Sequence, residues 1–154
     1  MGWTDGGDHT LSELIPADPA AVRDFYVDLA NIKVVHPLVV SVRPIRRRGT
    51  PGGGRLQAYR VRDRIPLGRM VVRASYTAEL YVPERGDVLT EARQFPGVRL
   101  FGRVSFEGGP AGTTLTERLQ ISAPTPLAAF TVRQAVAAHT SMLAGIRQHF
   151  ETSR

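Results

Sequence analysis

From Leu127 to Glu151 the chain runs 25 residues without a proline, and its apolar residues return at helical spacing. At about 100° per residue, Ala128, Val132, Ala135, Val136, Met142, Leu143, Ile146 and Phe150 make one apolar stripe. Arg133, Thr140, Arg147 and Glu151 fall on the opposite flank, and His139 falls at the centre of the stripe. A helix of this length must lay that stripe on something. The residues before it offer mainly short strands, so the covering surface is a sheet.

The strands are legible from alternation and turns. "DHTLSELIP" reads as a first strand. In "ADPAAVRDFYVDLAN", Asp18 can cap a helix and Pro19 suits its first position. A second short helix is expected to end near His36, before Pro37. Six further strands follow, broken at "GTPGGG", Pro66–Gly68, "PERGD", "PG" and "GGPAG". "RMVVRASYTAELYV" alternates most cleanly. Met70, Val72, Ala74, Tyr76, Ala78, Leu80 and Val82 share one face, which is expected to meet a core or cavity. In "TTLTERLQIS", Leu115, Leu119 and Ile121 share a face with Glu117. Consecutive short strands with tight turns indicate an antiparallel meander. Residues 1–7 read as a flexible tail and 8–151 as a single domain.

The chain has no cysteine, which excludes disulfides and thiolate chemistry. It shows no secretory signal and no apolar run long enough to span a bilayer, so a cytoplasmic location is expected. Its four histidines, at 9, 36, 139 and 149, have no paired ligand spacing, so no metal site is expected. Neither a phosphate-binding loop nor a serine nucleophile elbow is present, and no cofactor is expected. The net charge of +6 is uneven: Arg43 to Arg73 holds ten arginines and one acid, Asp63. Arg46, Arg47, Arg48, Arg60, Arg62 and Arg64 are expected to form a basic patch for an acidic carrier protein or an anionic membrane surface. Nucleic acid ranks last as a partner, because the arginines lack interleaved aromatics and no recognised motif is present.

Four stretches resemble the polyketide cyclase/dehydrase and lipid transport branch of the SRPBCC (START-like, birch-pollen-allergen-like) superfamily. They are "IPADPAAVRDFYVDLANIKVVHPLV" at 15–39, "FPGVRLFGRVSFEG" at 95–108, "GTTLTERLQISAP" at 112–124 and "RQAVAAHTSMLAGIRQHFE" at 133–151. The resemblance implies an α+β helix-grip fold. A curved antiparallel seven-stranded sheet would wrap the long C-terminal helix, with two short helices after the first strand. It also implies a ligand cavity between sheet and helix.

In such a cavity the expected lining is Tyr59, Asp63, Tyr76, Leu80, Glu117, Val136, His139, Met142, Leu143, Ile146 and His36. Each polar member also has an ordinary structural use. His139 could be a bonded core histidine, Tyr59 and Tyr76 packing residues, Glu117 a bulge residue, Asp63 an arginine partner and His36 a helix terminator. Burial should lower the His139 pKa and keep the ring neutral, unless Glu117 or Asp63 stands close enough to reverse that. The first functional expectation is binding of an apolar or amphipathic small molecule, lipid- or polyketide-like. The second is a polyketide cyclase, aromatase or dehydratase acting without metal, with His139, Tyr76 and Glu117 as the catalytic group.

Overall fold

The structure, a computed structural model, describes residues 4–153. Its elements follow the expected order. β1 (Thr4–Ile15) leads into α1 (Pro19–Val27) and α2 (Leu29–Val35). Six strands follow: β2 (Val39–Gly49), β3 (Arg55–Leu67), β4 (Met70–Val82), β5 (Val88–Gln94), β6 (Val98–Gly109) and β7 (Gly112–Pro124). α3 (Thr125–Thr152) closes the fold. The sheet order is β1-β7-β6-β5-β4-β3-β2, antiparallel throughout, with β1 and β2 at its edges.

Local chemistry sets the boundaries. The Asp18 carboxylate accepts the Ala21 N–H at 3.0 Å and starts α1 with Pro19 in its first turn. Asp28 ends α1, and its side chain then accepts the Ala30 N–H at 3.0 Å to start α2. The "GTPGGG" turn is closed by the Thr50 N–H donating to the Gly54 carbonyl at 2.8 Å. Gly52 and Gly53 sit there at φ of 90° and 91°, which side chains other than glycine's resist.

The tail expectation is corrected. Thr4 to Gly7 pair with β7, Thr4 opposite Pro124 and Gly7 opposite Ile121. Residues 1–3 lie outside the described residues. The β4 face is corrected too. Ala78, Leu80 and Val82 are buried, but Met70 is 69% exposed, because β5 pairs with β4 only from Thr77 onward.

α3 packs on β1 and β7 and stands off from β3, β4 and β5. That asymmetry divides the interior. On one side is a closed core containing Ile15, Val22, Leu115, Leu143 and Ile146, each at most 1% exposed. On the other side the concave face of the middle strands is left unfilled.

Candidate functional site

The unfilled region is a cavity of about 620 Å³, walled mainly by apolar side chains. That size is in the range of small-molecule sites. β3 and β4 supply Val61, Asp63, Tyr76 and Leu80 to its wall, and α3 supplies Ala138, His139 and Met142. His36 reaches it from the end of α2. Gly145 lets α2 come this close. A Cβ on Gly145 would stand 3.0 Å from the Val35 side chain, which explains a glycine inside a helix where it costs about 1 kcal/mol.

Of the expected lining residues, the structure places His36, Asp63, Tyr76, Leu80, His139 and Met142 on the cavity wall. Five others are corrected. Leu143 and Ile146 belong to the closed core, because the stripe of α3 is divided between core and cavity. Val136 is half-buried and off the wall. Tyr59 faces inward, but its hydroxyl is taken up under the end of α1, where Gln57 donates to it at 2.8 Å. Gln57 also donates to the Val27 carbonyl at 2.9 Å.

Glu117 lies one layer behind the wall. It is 0% exposed, as its shared face with Leu115, Leu119 and Ile121 requires. Its Oε1 is 2.9 Å from His139 Nδ1, and its Oε2 accepts the Tyr26 hydroxyl. Both oxygens are thus engaged, which is the condition for burying a carboxylate. Tyr26 was absent from the sequence expectations. Its signal is the i, i+4 spacing to Val22 in α1, since both are buried.

The pairing fixes the imidazole. A carboxylate only accepts, so His139 Nδ1 carries the hydrogen and Nε2 is the nitrogen left for a ligand. Burial lowers the His139 pKa, but Glu117, by charge and hydrogen bond, and Asp63 carry it above its usual 6.5. The reversing condition is therefore met.

Its neighbours titrate differently. His36 meets His139 edge-on at a 5.5 Å ring separation. The Leu38 N–H donates to His36 Nδ1 at 3.2 Å. Burial, and then the His139 charge, push its pKa down to about 3. Burial raises Asp63 to about 6, against the opposing pull of the Tyr76 hydrogen bond and the His139 charge. The Tyr76 hydroxyl donates to Asp63 Oδ1 at 3.3 Å, and burial followed by Asp63 raises its own pKa. Burial and Glu117 likewise raise Tyr26. An apolar cavity thus has a compact polar patch that can donate and accept hydrogen bonds and can move a proton through His139 Nε2. Among the described residues, no group of three or more His, Cys, Asp or Glu side chains is placed to hold a metal ion.

The expected basic patch is split. Arg60, Arg62 and Arg64 lie exposed on the convex face of β3, with Arg46 and Arg48 on the same face through their partners Ala58 and Leu56. Arg47 pairs with the inward-facing Gln57 and lies on the other face. Irregularities between Val39 and Ser41 and between Pro44 and Arg46 set this register.

The chain is similar to TTHA0849 from Thermus thermophilus, with 17% identity, a TM-score of 0.76 and coverage of 96% of this chain and 99% of that one. It is similar to the di-domain ARO/CYC BexL from the BE-7585A biosynthetic pathway, at 22% identity and a TM-score of 0.70. That match covers 96% of this chain and 50% of BexL. A START superfamily protein from Mycobacterium smegmatis matches at 12% identity and a TM-score of 0.70, covering 97% of this chain and 100% of that one. The chain has the SRPBCC, or START-like, fold. At these identities the likeness establishes the fold alone. No family model matches the sequence, and no curated protein matches it. Within the START-like fold, the place of the cavity between sheet and α3 follows from how α3 is seated.

Proposed function

We propose that this START-like protein binds an apolar or amphipathic small molecule, lipid- or polyketide-like, between the sheet and α3. The observation that carries this reading is the 620 Å³ apolar cavity with His36, Asp63, Tyr76 and His139 converging on its wall. Apolar walls supply affinity through burial, and the few polar groups orient the ligand. Native mass spectrometry of the purified protein is expected to show an apolar molecule bound at one per chain. Ala135→Trp, which puts an indole into the cavity from α3, is expected to displace it. A ligand retained at full occupancy in that variant would place binding elsewhere and end this reading.

The Glu117–His139 pair favours a second reading, a cyclase, aromatase or dehydratase acting on a polyketide-like chain. His139 Nε2 would exchange the proton with substrate. Glu117, which touches no cavity space, would act as a positioning residue by holding the ring's tautomer. Among the solved structures of similar fold, BexL is named as an ARO/CYC protein.

A further inference from the structure

The tip of the β3–β4 hairpin extends past the rest of the sheet. The strand register of β2 on β3 ends at Asp63, and that of β5 on β4 begins at Thr77. From Ile65 to Val72 the two strands therefore pair only with each other: Ile65 with Val72, Pro66 with Val71 and Leu67 with Met70. An arm of this kind in water is normally polar. This one is apolar on both faces, with Leu67, Met70, Val71 and Val72 exposed at 44%, 69%, 43% and 40%.

The arm borders the mouth of the cavity, whose wall includes Leu67 and Val72. Phe95, in the β5–β6 turn, and Leu127, in the first turn of α3, line the same cavity and are exposed at 91% and 40%. Scattered exposed apolar residues need no explanation, but several around one opening mark a contact surface.

Cations flank the apolar rungs of this arm. Arg64 and Arg73 face each other across the strands one rung back from Ile65 and Val72, and Arg69 sits in the turn at the arm's tip. Among the described residues, none of the three makes an ion pair. Like charges placed opposite each other destabilise a sheet, and an external anion relieves them. Met70 and Arg73 are three residues apart, roughly 10 Å along a strand. That is comparable with the depth, about 5–10 Å, to which the apolar face of an interfacial element sinks into the headgroup and acyl boundary. Arginine there keeps its guanidinium at the phosphates while its stem lies on apolar surface.

We propose that this rim is a membrane-docking surface, with the arm and Phe95 entering the interface of a bilayer rich in anionic phospholipid and Arg64, Arg69 and Arg73 binding its phosphates. A fluid interface surrounds a two-faced apolar projection. An acidic protein would satisfy the arginines and would need a matching groove for the arm. The cavity then opens onto the bilayer, although the docking itself does not depend on what the cavity holds.

Sedimentation with vesicles tests it. The intact protein is expected to bind vesicles of equal parts phosphatidylglycerol and phosphatidylcholine at low salt and to leave pure phosphatidylcholine unbound. Each docking arginine is expected to contribute about fivefold to the partition coefficient, so R64Q/R69Q/R73Q loses about a hundredfold. M70E is expected to lose at least about tenfold with an unchanged circular dichroism spectrum, because an acid is forced into the interface. R46Q/R48Q, which removes charge from the edge strand away from the arm, is expected to keep binding within about twofold. The proposal is overturned if the intact protein ignores anionic vesicles. It is also overturned if M70E binds as well as the intact protein, or if R46Q/R48Q loses as much as the arm variant, either of which would describe an undirected basic surface. Light scattering that shows a dimer dissolved by M70E would assign the rim to self-association and overturn it too.

Discussion

Replacing Asp63 with asparagine is expected to stabilise the protein at neutral pH. A group whose pKa is raised on folding, here from 3.8 to about 6 by burial, binds its proton more tightly in the folded state. Its favourable contribution is complete below pH 3.8 and is lost as pH rises through about 6. The difference of about two pKa units corresponds to about 3 kcal/mol at pH 7.5. His36 has the opposite sign. Its pKa falls from 6.5 to about 3, so its contribution is complete above pH 6.5 and is lost as pH falls towards 3. Between pH 6 and pH 4 the two slopes nearly cancel, at about 3 kcal/mol each. Each single variant exposes the other's slope. Relative to the unaltered protein, Asp63→Asn gains about 3 kcal/mol at pH 7.5 and less than about 1 kcal/mol at pH 4. His36→Asn, whose amide oxygen can still accept the Leu38 N–H, is expected to become relatively more stable as pH falls from 6 to 4. Urea melts across pH 4 to 7.5 measure both. An Asp63→Asn curve parallel to that of the unaltered protein would show that Asp63 is solvated in solution and would refute the reasoning.

Two further outcomes follow from the same cluster. Glu117→Ala strands the Tyr26 hydroxyl and the His139 ring without their shared acceptor and is expected to cost about 3–5 kcal/mol in a urea melt; the triple variant Y26F/E117L/H139F, which removes every member, is expected to recover most of that loss. His139→Phe keeps the ring's approximate volume and is expected to weaken ligand binding, or turnover, as well as lowering the melting temperature, and an unaltered affinity in calorimetry would reject a ligand role for the ring.

Much of the fold was legible because its signals are local. The alternation from Tyr76 to Val82 and the periodicity from Ala128 to Phe150 each depend on one element. The parity of Glu117 with Leu115, Leu119 and Ile121 placed a carboxylate inside without any knowledge of its partners. What stayed illegible depends on how elements meet. The apolar stripe of α3 does not reveal that the helix leans towards β1 and β7, so core Leu143 and Ile146 looked equivalent to cavity-facing Met142. Nor does alternation show where a neighbouring strand stops. Met70 and Val72 continue the buried face of β4 in sequence, yet they extend past the end of β5 and meet solvent. Arg47 differs from Arg46 and Arg48 only through a register set by two irregularities in β2.

The division made by α3 also explains where the polar side chains are. On the closed side the helix and the β1–β7 pair bury aliphatic residues, and the fully buried acid there, Glu117, has both oxygens bonded. That arrangement favours stability, since an apolar core gains from every contact and a satisfied carboxylate loses little. On the open side, Asp63 and His36 are held away from water with their pKa values displaced against the charged form. Such groups oppose folding near the pH at which they would otherwise ionise, and a chain selected for stability alone would carry leucine or phenylalanine in their place. Their position on the wall of the cavity, beside the uncommitted nitrogen of His139, gives the cost a use. A bound molecule can supply the hydrogen bonds that water cannot, so the energy withheld from folding becomes available to binding.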